Sequence, residues 1–161
     1  EDELDQALAA IEMAGITGTK CYARNVQVLA LPDQLRQALM NVITNAVQAM
    51  RGSGTLTLST AQSDHSGTAT IADSGPGISK QHLPKIFDPF FTTKGQGEGS
   101  GLGLTVARRI IRKFGGDVRI ESLEGRGTTC IVTLPSLAAA AEGGPWTPSV
   151  SRSEPQPSPL S

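Results

Sequence analysis

The chain has 161 residues, 38% of them hydrophobic and 4% aromatic, with a formal net charge of -1. Such a length suffices for one domain with a core of Leu, Ile, Val and Ala, and near-neutrality excludes a global basic field for nucleic acid or anionic membrane. No apolar run approaches the roughly 20 residues of a membrane span, and Cys21 and Cys130, too far apart for a C-x-x-C site, read as two buried thiols in a reducing compartment.

A first helix is expected over residues 3–14, ELDQALAAIEMA. Two short extended runs follow near 19–24 and 26–31, and Pro32 ends the second. Residues 33–50 carry the clearest helical signal, with Asp33 as its cap. Leu35, Ala38, Leu39, Val42, Ile43, Ala46, Val47 and Met50 recur at three- and four-residue intervals and form one stripe. Gly52 and Gly54 stop it. Asn41 and Asn45 lie just off one edge of that stripe. Taken alone they fit solvated rim residues best, although two amide oxygens there also suit a hard cation such as Mg²⁺.

TLTLSTAQ (55–62) alternates as a half-buried strand does, and GTATIAD (67–73) reads as its antiparallel neighbour across a polar turn at 63–66. The second strand runs out in IADSGPGI (71–78). Asp73 before Gly75–Pro76–Gly77 makes either an ordinary turn or a carboxylate set to accept from a ligand amine, with glycines that let a ring lie on the backbone. A short helix near 79–85 leads into FDPFFTTK (87–94). Core packing accounts for Phe87 and for one of Phe90 and Phe91, but not for all three beside Lys94.

GQGEGSGLGL (95–104) places glycine at alternate positions just before a helix that runs to about 114, with Val106, Ala107, Ile110, Ile111 and Phe114 facing inward. Such a run is either a loose surface loop or a place where backbone N–H groups converge on an anion at a helix N-terminus. No Gly-Lys dipeptide occurs, which excludes a G-x-x-x-x-G-K-[ST] phosphate loop. A dinucleotide fingerprint is excluded as well, since no G-x-G-x-x-G follows a strand. A hairpin of GDVRIES (116–122) and TTCIVTLP (128–135) closes a domain over residues 1–135. The expected class is α+β, one mostly antiparallel sheet with helices on one face. Residues 136–161, rich in Pro, Ser, Ala and Gly and holding the single tryptophan, Trp146, read as a disordered tail.

Taken together, NVITNAVQA, DSGPGI, FDPFFTTK, GSGLGL and GRGTTCIVTLP occur in the order and approximate spacing of the catalytic ATP-binding domain of sensor histidine kinases, a family shared with gyrase, mismatch-repair ATPases and the large heat-shock chaperone. The wording most resembles the nitrogen-regulation-like branch. This resemblance implies a Bergerat-type two-layer sandwich with a flexible ATP lid. It makes Asn45 the Mg²⁺ ligand with Asn41 beside it, and Asp73 the partner of the adenine amino group, with Gly75, Gly77 and Ile78 shaping the pocket and Thr128 supporting it. Phe87, Phe90, Phe91, Thr93 and Lys94 belong to the lid, Lys94 reaching a phosphate. Gly99, Ser100, Gly101, Leu102, Gly103 and Leu104 meet the phosphates.

What is implied is a protein-histidine kinase catalytic domain that uses ATP and Mg²⁺. Its partners are a dimerisation and phosphoacceptor hairpin upstream of Glu1 and then the receiver domain of a response regulator. The location is cytoplasmic, whether or not the parent is anchored in a membrane, and the fragment is monomeric within a homodimeric parent. Relatives that hydrolyse ATP keep a glutamate base one turn before the magnesium asparagine, where this chain has Asn41. Slow hydrolysis is therefore expected. The two histidines, His65 in a polar turn and His82 before the lid, do not sit on such a hairpin. The alternative on the same fold is a nucleotide-binding regulatory module or an anti-sigma-type protein kinase.

Overall fold

The computed structural model describes Asp5, Ala9, residues 15–92 and residues 101–143. The helix expected over 3–14 thus lies almost wholly outside the described residues. Five strands form one sheet: β1 Ile16–Cys21, β2 Gly54–Gln62, β3 Ser66–Asp73, β4 Asp117–Ser122 and β5 Thr128–Pro135. Their spatial order is β1-β2-β3-β5-β4. Only β1 and β2 run parallel, joined through helix α1 (Pro32–Met50); every other pairing is antiparallel.

Helices α1 and α2 (Gly103–Lys113) pack on each other and on the sheet, α1 against β2 and β3, α2 against β4 and β5. This is the expected α+β two-layer sandwich. Cross-strand register shows why one face is buried: Leu58, Ile71, Cys130 and Ile120 stand opposite one another in a single row. Alternation sends Thr57, Thr70, Thr129 and Thr133 to the other face. The inward row meets Ala38, Leu39, Val42, Ile43, Ala46 and Met50 of α1 and Ala107 and Ile111 of α2 in one core. Leu35, Val47, Ile110 and Phe114 pack against it as the periodicity predicts, and so does Leu104, whereas Val106 is not part of it.

Several local expectations shift. Pro32 opens α1 instead of ending a strand, and Leu31 takes the N-cap position with no side-chain hydrogen bond, so Asp33 falls inside the first turn. Proline suits that place, because its missing N–H is one a helix start leaves unpaired and its φ is already helical. Residues 26–31 form no strand. Asn25 turns the chain at φ 56, and Val28 makes only a bridge to Ser136. Val26 and Val28 instead cover Gly67, where any Cβ would meet both. The helix expected near 79–85 is a single 3₁₀ turn, Leu83–Lys85, containing Pro84. Cys130 is buried, but Cys21, on the sheet edge, is exposed.

The segment assigned to a tail begins differently from its composition. Ser136 is 3% exposed. Its hydroxyl donates to Asp64 O and accepts from Ala139 N–H, capping a short helix α3 (Leu137–Ala141). Residues 144–161, Trp146 among them, lie outside the described residues. Among the described residues no helix is long and apolar enough to cross a membrane.

Candidate functional site

The site is built outward from the end of β3. Alternation gives Asp73 the inward direction of Ile71. Across the sheet it stands opposite Leu56 of β2 and Thr128 of β5, and Thr128 stands opposite Ser122 of β4. The carboxylate therefore occupies the last rung of a buried face. Burial pushes its pKa above the ordinary 3.8, and the backbone N–H groups of Gly75 and Thr128, which favour the anion, offset this only in part. Gly75 N–H donates to Oδ1 at 2.9 Å. One rung deeper, the Cys130 thiol is pushed up to about 12, first by burial and then by the Asp73 charge. An acceptor-only group so placed is stabilised by any ligand that brings an N–H donor.

The loop after Asp73 is held open by the β4–β5 hairpin. Gly125 N–H donates to Pro76 O at 2.7 Å, and Ile78 N–H donates to Ser122 Oγ at 2.7 Å. Ser122 in turn donates to Gly127 O at 3.0 Å and lies 2.9 Å from Thr128 Oγ1. Gly77 has φ 72, and a Cβ there would run into the carbonyl oxygen of Leu123. Asp73, Gly75, Gly77, Ile78 and Thr128 thus form one connected cluster. Ser122 belongs to it although no sequence motif marked it. Its only signal was its place at the end of a strand beside GRGTT.

The second half of the site lies where α1 and α2 meet. A Cβ on Gly103 would come within 3.8 Å of Asn41 O and 4.0 Å of Asn41 Cβ, so the first turn of α2 rests on α1 at Asn41. Asn45, half-buried, follows one turn later. Leu102 is the N-cap residue of α2, and no side-chain hydrogen bond caps it. The amides and the positive dipole end at this terminus face no side-chain acceptor from the cap. Gly101 precedes it at φ 68, and a Cβ there would lie 2.5 Å from Phe90 C and 2.7 Å from Phe91 O.

Of the aromatic residues, Phe87 packs against the core, Phe91 lies against His82 with ring centroids 5.6 Å apart, and Phe90 is 74% exposed. Thr93, Lys94, Gly99 and Ser100 lie outside the described residues. The residues present fit Mg²⁺-nucleotide at both ends. A half-buried acceptor suits a ligand amine, and a helix start beside Asn41 and Asn45 suits phosphates and a hard cation.

Residues 30–138 match the family described as histidine kinase-, DNA gyrase B-, and HSP90-like ATPase. The chain belongs to that family, as an ATP-binding domain of the histidine-kinase type. It is 40% identical over 116 residues to the sensor histidine kinase ZraS of Salmonella typhi, covering 70% of this chain and 24% of the relative. The chain thus spans about a quarter of the length of that relative. Among solved structures it is similar to the mycobacterial sensor histidine kinase MprB, with TM-score 0.73 and 27% identity over 84% of this chain and 93% of that one. It is equally similar to full-length ShkA in complex with AMPPNP, with TM-score 0.73 and 27% identity over 84% of this chain and 29% of that one.

Proposed function

We propose that this chain binds Mg²⁺-ATP and presents its γ-phosphoryl group to a histidine on a separate helical hairpin, as the catalytic domain of a two-component kinase. The observation that carries the reading is the half-buried Asp73 carboxylate, whose charge is held above a row of apolar side chains with spare acceptor capacity. It accepts from the adenine amino group, while Gly75, Gly77 and Ile78 give the ring a backbone surface and Thr128 supports it. The AMPPNP complex of the similar ShkA supports a nucleotide as the ligand class.

At the other end, the amides of Gly101, Leu102, Gly103 and Leu104 meet the phosphates at the start of α2, with Gly99, Ser100, Thr93 and Lys94 completing the lid. Asn45 supplies an amide oxygen to Mg²⁺, which when bound neutralises phosphate charge. Phosphoryl transfer asks of a protein chiefly positioning and charge stabilisation. Asn41, next to Asn45, has no basic lone pair and activates no water, so the γ-phosphoryl is kept for an imidazole. A receiver-domain aspartate is the next acceptor. The setting is the cytoplasm, where ATP is available, and the chain by itself is a monomer.

Calorimetry with Mg²⁺-ATP and Mg²⁺-GTP on the chain and on Asp73→Asn tests this. The substitution turns an acceptor-only group into one that also donates. ATP affinity should fall by about tenfold or more, the scale of one hydrogen bond to a charged group, and GTP binding should change little. Equal losses for both bases would remove Asp73 from the adenine role.

A further inference from the structure

A small polar network at the end of β4 fixes which way one hydroxyl points. Ser122 is the last residue of that strand, and its pairing with Thr128 puts it in the row of Leu56, Asp73 and Thr128. Three polar groups lie within hydrogen-bond distance of its oxygen. Ile78 N–H donates to it at 2.7 Å, Gly127 O accepts from it at 3.0 Å, and Thr128 Oγ1 stands 2.9 Å away. A serine hydroxyl has one hydrogen to give and two lone pairs to offer. Gly127 O can only accept, and Ile78 N–H can only donate. All three contacts are therefore hydrogen bonds together in one arrangement alone: Ser122 donates to Gly127 O, and Thr128 donates to Ser122.

Thr128 thereby commits its only hydrogen to Ser122, and its oxygen keeps lone pairs alone for a ligand. Directly opposite on β3, Asp73 is an acceptor as well, its carboxylate already holding the N–H groups of Gly75 and Thr128. Side chains paired across antiparallel strands start about 5 Å apart. The two residues therefore offer two acceptors side by side to one edge of a ligand. A group that donates is stabilised there, whereas a carbonyl oxygen meets lone pairs from both residues.

We propose that Ser122 is a positioning residue for base recognition. By taking the Thr128 hydrogen, it makes Thr128 a second acceptor beside Asp73 and so disfavours purines that carry a carbonyl oxygen where adenine carries its amine. The proposal rests on the nucleotide-binding reading above, and it goes beyond that reading by assigning selectivity to a residue that acts only through its neighbour. Without the Ser122 hydroxyl, Thr128 is free to turn and donate to such a carbonyl. The loss of Ser122 therefore changes the choice between bases, and not simply the strength of binding.

The test measures the affinities of Mg²⁺-ATP and of Mg²⁺-inosine triphosphate, which has a ring carbonyl in place of the amine, by calorimetry. The chain should prefer ATP, and Ser122→Ala should lower that preference about tenfold, the scale of one hydrogen bond. In a Thr128→Val background, which has no hydroxyl to release, Ser122→Ala should change the preference by less than about twofold. An unchanged preference in Ser122→Ala overturns the proposal. So do equal losses for both nucleotides, the mark of general loosening, and a change as large in the Thr128→Val background as in the chain. Should Ser122→Ala not fold, Thr128→Val carries the test alone: with one of the two acceptors gone the preference should fall, and an unchanged preference overturns the proposal. Absence of any ATP preference in the unsubstituted chain overturns the amine-reading role of Asp73 itself, and the proposal with it.

Discussion

Asp73 and Asp117 show how position on the sheet divides two chemically identical side chains. Asp73 faces inward, and burial raises its pKa above 3.8 despite the Gly75 and Thr128 N–H groups. Asp117 is also penalised by burial, but hydrogen bonds from Arg108 and Arg112, the Val118 N–H and the charge of Arg108 outweigh this and hold it below 3.8. The two slopes of stability against pH have opposite signs. A raised folded pKa gives stability that is complete below the unfolded value and is lost as pH rises through the folded value. A lowered one gives stability present above the unfolded value and lost as pH falls through the folded value. Asp73→Asn should therefore leave the ligand-free chain as stable as before or more so at neutral pH, while weakening ATP. Asp117→Asn should be destabilising at neutral pH, and the deficit should shrink on acidification below 3.8. Urea titrations at neutral pH and at about pH 3 read both effects. A less stable Asp73→Asn chain at pH 7 would argue against burial as the main force on that carboxyl.

At the scale of elements, α3 gives the sharpest test. Ser136 joins three pieces of backbone: its N–H donates to His65 O, its hydroxyl donates to Asp64 O, and Leu137 N–H beside it donates to Gln27 O. It is at once a helix cap and the point where residues 22–31 are held over the β2–β3 turn. Ser136→Ala should cost about 1–2 kcal/mol, the upper part of the range for a lost cap, because Asp64 O also loses a donor. Thermal or urea unfolding measures it, and a neutral substitution would mean that the Ser136 hydroxyl contributes nothing to the fold. In the core, Leu56 is 0% exposed, and Leu56→Ala should cost about 2–5 kcal/mol by the same measurement.

Elements also show where local sequence suffices. The stripe on α1 was legible because a buried helical face must repeat every three to four residues wherever it occurs. The start of α1 is less legible, because proline ends a strand as readily as it opens a helix. Only the path of residues 22–31 over Gly67 decides between the two. The 3₁₀ turn at Leu83–Lys85 likewise depends on packing, since a proline at position 84 is compatible with either helical form.

For the whole molecule, the proposed chemistry requires something that the described residues do not supply. His65 is exposed in the β2–β3 turn, and His82 lies against Phe91. Neither stands on a helical hairpin that could carry an imaidazole in line to a bound phosphate. Incubated with γ-labelled ATP, the chain should neither label itself appreciably nor turn over ATP quickly, given an amide at Asn41. Adding a histidine-bearing hairpin from a similar kinase should place acid-labile label on that hairpin, and Asn45→Ala should abolish the transfer. Label on this chain alone, or transfer that survives Asn45→Ala, would falsify the proposed arrangement.

The sequence by itself determined the α+β class, the main helix, both hairpins and the family, because periodicity, glycine punctuation and the order of motifs are local properties of a chain. It also singled out Asp73, Asn41, Asn45 and the glycines before α2. Only the tertiary structure decided what surrounds them. Asp73 is a perturbed carboxylate because four strands bring Leu56, Thr128 and Ser122 into its row. The Arg108 guanidinium lies between the Phe87 ring and the Asp117 carboxylate because the fold brings three distant segments together. Burial, cross-strand register and contacts between distant segments are long-range quantities. They arise from the order β1-β2-β3-β5-β4, which no single stretch of residues encodes.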